Sequence, residues 1–334
     1  MTNIRKVAAL AGVSVATVSR TLKSPAQVSP ETREKVLDAV EHAGYKPNLM
    51  AIQFRSQRTR NLVVLVPDIA NTFFAQVIRG IQEAASAFDY RVLLCNTLGN
   101  PETERQFAKL VDARQADGVI QLRAFDPFAR QDHPPLVNIC EIVDDASWPT
   151  VSLNNRGAAR TMTEHLLGLG HRRIGLIQGP PDSPLTRERF AGYREALDAA
   201  GIELDHALLQ DGNYDCQSGH AAAVHLLGVE SRPTAIFCEN DEMAMGAIRC
   251  IRQAGLRIPE DISVAGFDDI SFAAFCDPPL TTIAQPAEAF GQHAVAMLLA
   301  LLEGKSITEH HLILPFELVV RSSTAACSQP PVEA

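Results

Sequence analysis

No run of about 18 consecutive apolar residues occurs in this 334-residue chain, so no membrane-spanning helix and no membrane partner are expected. The N-terminus, MTNIRKVAALAGVSV, lacks the apolar stretch and cleavage site of a secretory signal, which predicts a cytoplasmic protein. C-x-x-C pairs are absent. The seven cysteines are odd in number and scattered, which argues against a disulfide framework or a zinc site and predicts buried thiols in a reducing compartment. Enzyme signatures are missing as well. Gly168-Leu169-Gly170 lacks the third glycine of a dinucleotide loop, and Leu299 stands where a phosphate loop ending in Gly304-Lys305-Ser306 would need its first glycine. There is no G-x-S-x-G elbow, and His310-His311 reads as surface. No catalytic residue, cofactor or metal is therefore expected.

What is present is a charge asymmetry. The net charge of −9 divides into +6 for residues 1–60, with ten Lys/Arg against four Asp/Glu, and −15 for the remainder. A basic segment releases counterions from phosphates, whereas an acidic body is repelled by them, so the first 60 residues are the candidate DNA-binding part. The hydrophobic fraction of 46% is that of a folded globular protein, and the length allows two or three units.

Residues 4–45 read as three short helices. Ile4, Val7, Ala8 and Ala11 share one helical face, with Thr2 or Asn3 as its cap and Gly12 as its end. Ser14 can cap a second helix, which carries Val15, Val18 and Leu22. A third runs from about Pro30 to Ala43, with Val36, Leu37 and Val40 inward, and Gly44 ends it. VAALAGVSVATVSRTL (7–22) thus has the form of a helix-turn-helix, with small residues at the crossing and short polar ones opening the second helix. Such a helix fits a major groove about 12 Å wide. Ser14, Thr17 and Ser19 offer hydroxyls, Thr17 and Ser19 being placed to bond phosphates. Val15 and Ala16 can touch thymine methyls, and Arg20 can pair bidentately with guanine.

After the basic junction 46–60 the pattern changes. Short apolar runs at 61–66, 91–96, 117–122 and 135–140, and again at 172–179, 234–239 and 261–268, alternate with helical stretches. That alternation predicts parallel sheets in two series, hence two doubly wound lobes with a cleft between them. LTTIAQP (280–286) reads as a connection between lobes, LILPFELVVR (312–321) as a last strand returning across them, and the tail as frayed.

IRKVAALAGVSVATVSRTL, VSPETREKVLDAVEHAGYKPN and GFDDISFAAFCDPPLTTIAQP resemble, in this order, the signatures of the LacI/GalR family of transcriptional repressors. The resemblance spans nearly the whole chain. It implies an α/β fold: an N-terminal all-α helix-turn-helix headpiece, a hinge helix, and a two-lobed, doubly wound parallel-sheet sensor core like a periplasmic binding protein. The expected boundaries are 1–45 for the headpiece, 46–60 for the hinge, 61–160 with 291–320 for the first sensor subdomain, 161–290 for the second, and 321–334 for a tail. Arg5-Lys6 departs from the usual basic residue followed by Asp and alters only the first turn. PNLMAIQF (47–54) matches the hinge pattern P-N-x-x-A-x-x-L, with Asn48 and Ala51 in place and Phe54 at the wedge position. Phenylalanine can unstack a base step as leucine does; the alternative is that Phe54 packs on the core. Arg55, Arg58 and Arg60 would follow the phosphates.

Ligands of open α/β sheets bind at the carboxyl ends of strands. Asp68, Asn71, Phe73, Phe74, Arg189, Tyr214, Asn240, Asp241 and Asp268 stand at or after such ends. The resemblance places Phe73, Arg189, Tyr214, Asn240 and Asp268 at ligand-contacting positions, and Cys140 and Glu141 in a contacting segment. Aromatic rings stack on bases and sugar faces, and charged forks chelate hydroxyl pairs. With acidic residues in the majority and no basic residue other than Arg189 expected at a strand end in the cleft, the expected effector is a neutral nucleoside or pentose-like sugar. The partners expected are operator double-stranded DNA, this small molecule, and a second copy of the chain in a homodimer. A solute-binding protein or a sugar- or nucleoside-processing enzyme could use the same core. The basic headpiece argues against the first, and the lack of an acid/base or metal constellation against the second.

Overall fold

A computed structural model of the protein describes residues 3–45, 58–128, 133–142 and 148–328. The chain divides into two compact units, residues 1–59 and 60–334. The hinge residues Asn48, Ala51, Phe54 and Arg55 lie outside the described residues.

In the first unit, local capping sets the helix ends. Asn3 Oδ1 accepts the Lys6 N–H at the start of α1 (Ile4–Ala11), and Gly12 ends it with φ 63°, a conformation open to glycine at little cost. Ser14 Oγ accepts the Thr17 N–H at the start of α2 (Val15–Lys23). α3 (Pro30–Ala43) begins on Ser29 with proline in its first turn and ends on Gly44. Val7, Val18 and Val36 are fully buried between the helices, with Ala8 and Ala39 beside them. Each such valine contributes about 1.5–3 kcal/mol by leaving water. One residue expected inward is not: Leu37 is 49% exposed. Ala39, not Leu37, faces the core, because the buried stripe of α3 follows Val36, Ala39, Val40 and Ala43.

The second unit contains two parallel sheets. The first has the order β11-β5-β4-β3-β1-β2, with β1 Asn61–Val66, β2 Arg91–Asn96, β3 Gly118–Gln121, β4 Leu136–Cys140, β5 Thr150–Leu153 and β11 His311–Leu314. The second has the order β7-β6-β8-β9, with β6 Ile174–Gln178, β7 Leu209–Asp211, β8 Ala235–Cys238 and β9 Ser263–Ala265. Central strands such as Leu62–Val66 and Ala235–Cys238 are buried throughout, as strands covered on both faces must be. α4 (Thr72–Ser86), α5 (Pro101–Asp112) and α10 (Ala287–Leu302) cover the first sheet, and α6 (Asn155–Gly168), α7 (Pro184–Ala199), α8 (Cys216–Gly228) and α9 (Asp241–Gln253) the second. α8 and α9 cross at glycines: a Cβ on Gly219 would lie 2.2 Å from the Met243 carbonyl oxygen, and one on Gly246 2.0 Å from that of Cys216.

The chain passes between the lobes after β5, after β10 (Thr282–Ala284) and after β11, and the last passage forms β12 (Glu317–Val319) antiparallel to β10. The single strand expected over 312–321 is therefore two, one in the first sheet and one on the crossover. Two boundaries also shift. The Asn155–Gly168 helix packs on the Pro184–Ala199 helix, so the second subdomain begins near residue 154 and not at 161. Residues 322–327 are not a tail: the Val264 N–H donates to the Ser323 carbonyl, His171 bonds the Ala325 carbonyl, and the Cys327 N–H donates to Leu169. Arg60, expected to follow phosphates, belongs to the first lobe. Its guanidinium donates to the Phe88 carbonyl and lies 5.0 Å from the Tyr90 ring centroid.

Candidate functional site

On the headpiece, α2 presents Val15, Ala16, Ser19 and Arg20 outward, while Val18 and Leu22 hold it to α1 and α3. The Arg20 side chain is exposed, with no hydrogen bond or ion pair to the described residues. Ser14 has a structural role already: its Oγ accepts from the Thr17 N–H at 3.1 Å and lies 2.9 Å from the Thr17 hydroxyl. Ser14→Ala should therefore cost about 1 kcal/mol of α2 stability. The check is amide exchange in the full-length chain, where residues 15–23 should exchange faster than in wild type; unchanged protection would show that the cap contributes nothing. Arg58 lies in the short described stretch that leads into β1.

In the sensor core, both sheets have their topological switch beside their first strand, between β1 and β3 in one and β6 and β8 in the other. The strand ends at these switches face each other across a cavity of about 610 Å³, a volume suited to a ligand of nucleoside size. Of the sensor residues singled out from the sequence, all but Asp241 line it: Asp68, Asn71, Phe73, Phe74 and Glu141 from the first lobe, and Arg189, Tyr214, Asn240 and Asp268 from the second. Cys140 lines it too. Three of these hold left-handed backbone, with φ 70° at Cys140, 58° at Tyr214 and 116° at Asp268. Non-glycine residues held there store about 1–3 kcal/mol each and concentrate at functional sites.

Several of these side chains also build the wall. Asn71 caps α4 by accepting from the Phe73 and Phe74 N–H groups, and Phe73 packs edge-on to Phe290 at 6.4 Å. Asn240 caps α9 through the Met243 N–H, while its amide donates to the Tyr214 carbonyl at 3.0 Å and so fixes the Tyr214 turn. The Tyr214 hydroxyl bonds Thr186 at 2.9 Å. Its hydroxyl end lies against Gly179, where a Cβ would stand 2.1 Å from the ring. Arg189 is 2% exposed, with its guanidinium 3.8 Å from the Phe267 ring centroid. Its Nε donates to Asn155 Oδ1 at 3.0 Å and its Nη1 to the Glu239 carbonyl. Asp268 is pinned at both backbone atoms, its N–H donating to Ile283 and its carbonyl accepting from Gln285, and Gln285 Nε2 donates to its Oδ1 at 2.7 Å.

Two contacts cross the cleft. Glu242, at the start of α9, accepts from the Thr72 N–H at 3.0 Å and the Thr72 hydroxyl at 2.8 Å. Glu141 accepts from the Ser183 hydroxyl at 3.3 Å and from the Ala124 N–H at 2.6 Å. Burial pushes the carboxyls up: Glu141 above its ordinary range, Asp268 to about 7, and Asp241 well up, with the neighbouring Asp268 adding to the effect of burial. Asp241 is not in the cavity wall. It accepts from the Ile270 N–H at 2.9 Å and the Thr282 hydroxyl at 2.6 Å, tying α9 to the crossover strand β10.

One sequence expectation is overturned here. A second cation does stand at a strand end in the cleft: Arg123, two residues past β3. It pairs with the buried Glu104 at 3.4 Å and lies 5.9 Å from the Phe125 ring centroid. Reading DGVIQL as strand left Arg123 in an apparent surface loop, RAFDPF; the only available signal was its place directly after that strand. Glu239, the last residue of TAIFCE, was likewise passed over as part of a strand, yet it is fully buried behind Arg189.

A helix-turn-helix unit followed by a two-lobed core with a ligand-sized cleft defines a DNA-binding transcription regulator of periplasmic-binding-protein-like build. Residues 3–48 match the family described as “Bacterial regulatory proteins, lacI family”, and residues 163–324 a periplasmic binding protein-like domain. The chain belongs to the lacI family and is a DNA-binding transcriptional repressor, not an enzyme. It is 38% identical to the HTH-type transcriptional repressor CytR of Escherichia coli over 97% of this chain and 96% of the relative. It is 34% identical to the HTH-type transcriptional repressor PurR of Photobacterium profundum over 97% of this chain and 98% of that one. Among solved structures it is similar to a lac repressor dimer bound to operator and an anti-inducer, at 30% identity and TM-score 0.87 over 97% of this chain and 99% of that one. It is also similar to a complex of the transcriptional regulator CelR with cellobiose, at 33% identity and TM-score 0.74 over 96% and 99%. No helix among the described residues is long and apolar enough to cross a membrane.

Proposed function

We propose that the operator affinity of this repressor is controlled by a neutral nucleoside or pentose-like sugar bound between the sensor lobes. The observation that carries the reading is the charge lining the cavity. Among the described residues, Asp68, Glu141, Asp182, Asp215, Glu242 and Asp268 face it against Arg123 and Arg189, and Arg123 is already paired with Glu104. A phosphorylated ligand would bring more negative charge into an acidic, half-buried cleft, whereas hydroxyls can donate to Asp268 and accept from Arg189. Tyr214 and Phe74 offer rings for a base or sugar face. FCDPPLTTIAQP and VPDIANTFF resemble stretches of the cytidine repressor, which favours the nucleoside within this class.

In this reading α2 enters the major groove. Val15, Ala16 and Arg20 read base edges, Ser14, Thr17 and Ser19 bind phosphates or order the turn, and Asn48, Ala51, Phe54, Arg55 and Arg58 form the hinge contacts. The active unit is a cytoplasmic homodimer, so that two headpieces read two half-sites. Leu98 (76% exposed) and Phe275 (85%) offer apolar surface of the kind a second copy covers. The effector shifts operator affinity only as far as it prefers one lobe arrangement, and the Thr72–Glu242 and Ser183–Glu141 bonds are contacts between the lobes on which such a preference can act. Release from DNA on effector binding is the expected sense.

The test is a gel shift on the protein's own promoter region, with calorimetry against cytidine, adenosine, ribose and ribose 5-phosphate. Binding of a neutral compound together with a changed shift is expected. Tight binding of the phosphate alone would overturn the reading.

A further inference from the structure

Glu239 directly follows β8, one residue before the Asn240 cap, and its side chain is fully buried behind the cleft. Oε2 accepts from the Gly179 N–H at 2.9 Å, while Oε1 finds no hydrogen-bond partner among the described residues. Gly179 is the surface against which Tyr214 lies, and the Glu239 carbonyl accepts from Arg189 Nη1. One residue thus touches the supports of both the aromatic and the cationic side of the site. The ionisable groups facing it are Arg189 from α7, Asp211 at the end of β7 and Tyr214 from the loop after β7, with Cys238 beside it on β8. Arg189 also faces Asp268, so one guanidinium serves two buried carboxyls.

We propose that Glu239 is a positioning residue of the effector site: as a neutral carboxyl it leaves Arg189 turned toward the cleft and Asp268, and as a carboxylate it draws Arg189 away from both. This rests on the reading of the cleft as the site of a neutral effector. A second buried anion without its own cation is strongly disfavoured, so the two carboxyls cannot both be ionised cheaply beside one guanidinium. Burial outweighs the opposing pull of Arg189, the Gly179 N–H and Thr186 and pushes Glu239 up to about 8, while Asp268 stands at about 7. The signs follow. Below about 7, Asp268 takes up a proton and loses its strength as an acceptor for hydroxyls. Above about 8, Glu239 loses its proton and competes for Arg189. Effector affinity should therefore fall on the alkaline side as Glu239 ionises.

The experiment uses the full-length protein and Glu239→Gln, which has the shape of the neutral acid. With cytidine as the probe, wild-type affinity should fall by up to about tenfold per pH unit above about 8, the limit for one linked proton. Glu239→Gln should match wild type at pH 7.5 and keep that affinity to pH 9.5. An equal alkaline fall in the variant, or a loss of tenfold or more at pH 7.5, would overturn the proposal. A second readout needs no effector. A folded-state value raised above the unfolded one means that the native protein holds the proton over the interval between them, so stability drains away as pH rises from about 4.5 to about 8. Glu239→Gln should flatten that decline in thermal midpoint. If cytidine binds neither protein, the nucleoside reading fails on its own. Superposable pH–stability curves would then still dismiss Glu239.

Discussion

Replacement of Arg189 by alanine should leave the repressor bound to its operator and deaf to effector. Arg189 is held at three sides, by Asn155 Oδ1, the Glu239 carbonyl and the Phe267 ring, so its guanidinium is presented to the cleft without an ordering cost at binding. Removing it strips the donor fork from the effector and leaves Asp268 and Glu239 as buried carboxyls with no cation. Truncating one member of a buried, hydrogen-bonded charge set costs about 2–5 kcal/mol in binding, which is roughly 30-fold to several thousand-fold in effector affinity. Some fold stability will be lost too, because Asn155 Oδ1 and the Glu239 carbonyl lose their donor. The measurement is calorimetry with the best-binding neutral compound, together with operator gel shifts, with circular dichroism confirming a folded core. Arg189→Lys should recover only part of the response, since an ammonium cannot bond Asn155, Glu239 and an effector oxygen in one plane. Effector release by Arg189→Ala at unchanged concentration would remove Arg189 from the site.

On the DNA side, Arg20→Ala should relax sequence preference. The Arg20 side chain is exposed on α2 beside Ala16 and Ser19, with no competing partner among the described residues. A bidentate pair with guanine is worth about 1–3 kcal/mol of discrimination, so affinity for the cognate operator should drop roughly 5- to 150-fold while random DNA is held nearly as before. Arg58→Ala serves as the contrast. A lost phosphate contact weakens all sequences alike and lowers the slope of log affinity against log salt by about one. Competition binding on cognate and scrambled duplexes at several salt concentrations separates the two. Equal weakening of both duplexes by Arg20→Ala would assign Arg20 to the backbone instead.

Features that depend on neighbours a few residues away are legible along the chain. Helix ends at Asn3, Gly12, Ser14 and Gly44 follow from side-chain caps and left-handed glycines, and the strand–helix alternation follows from periodicity. The nine sensor residues were legible because parallel sheets put ligands at strand ends, wherever the strands lie in space. Other features depend on partners far along the chain and emerge only in the folded protein. β5 and β7, of four and three residues, are too short to show a period and exist through their neighbours in the sheets. Residues 322–327 have no apolar pattern and are held by His171, Val264 and Leu169, more than fifty residues away. Leu37 sits at the margin of its helix face, where inward or outward is settled by the helix packed opposite. Arg123 entered the cleft because β3 ends beside β1, and Glu239 acquired its burial, its shared guanidinium and its proton from groups on three other elements. Caps and periods are short-range and additive along the chain. Burial and charge pairing are set by which segments meet, and that is decided only when the sheets assemble.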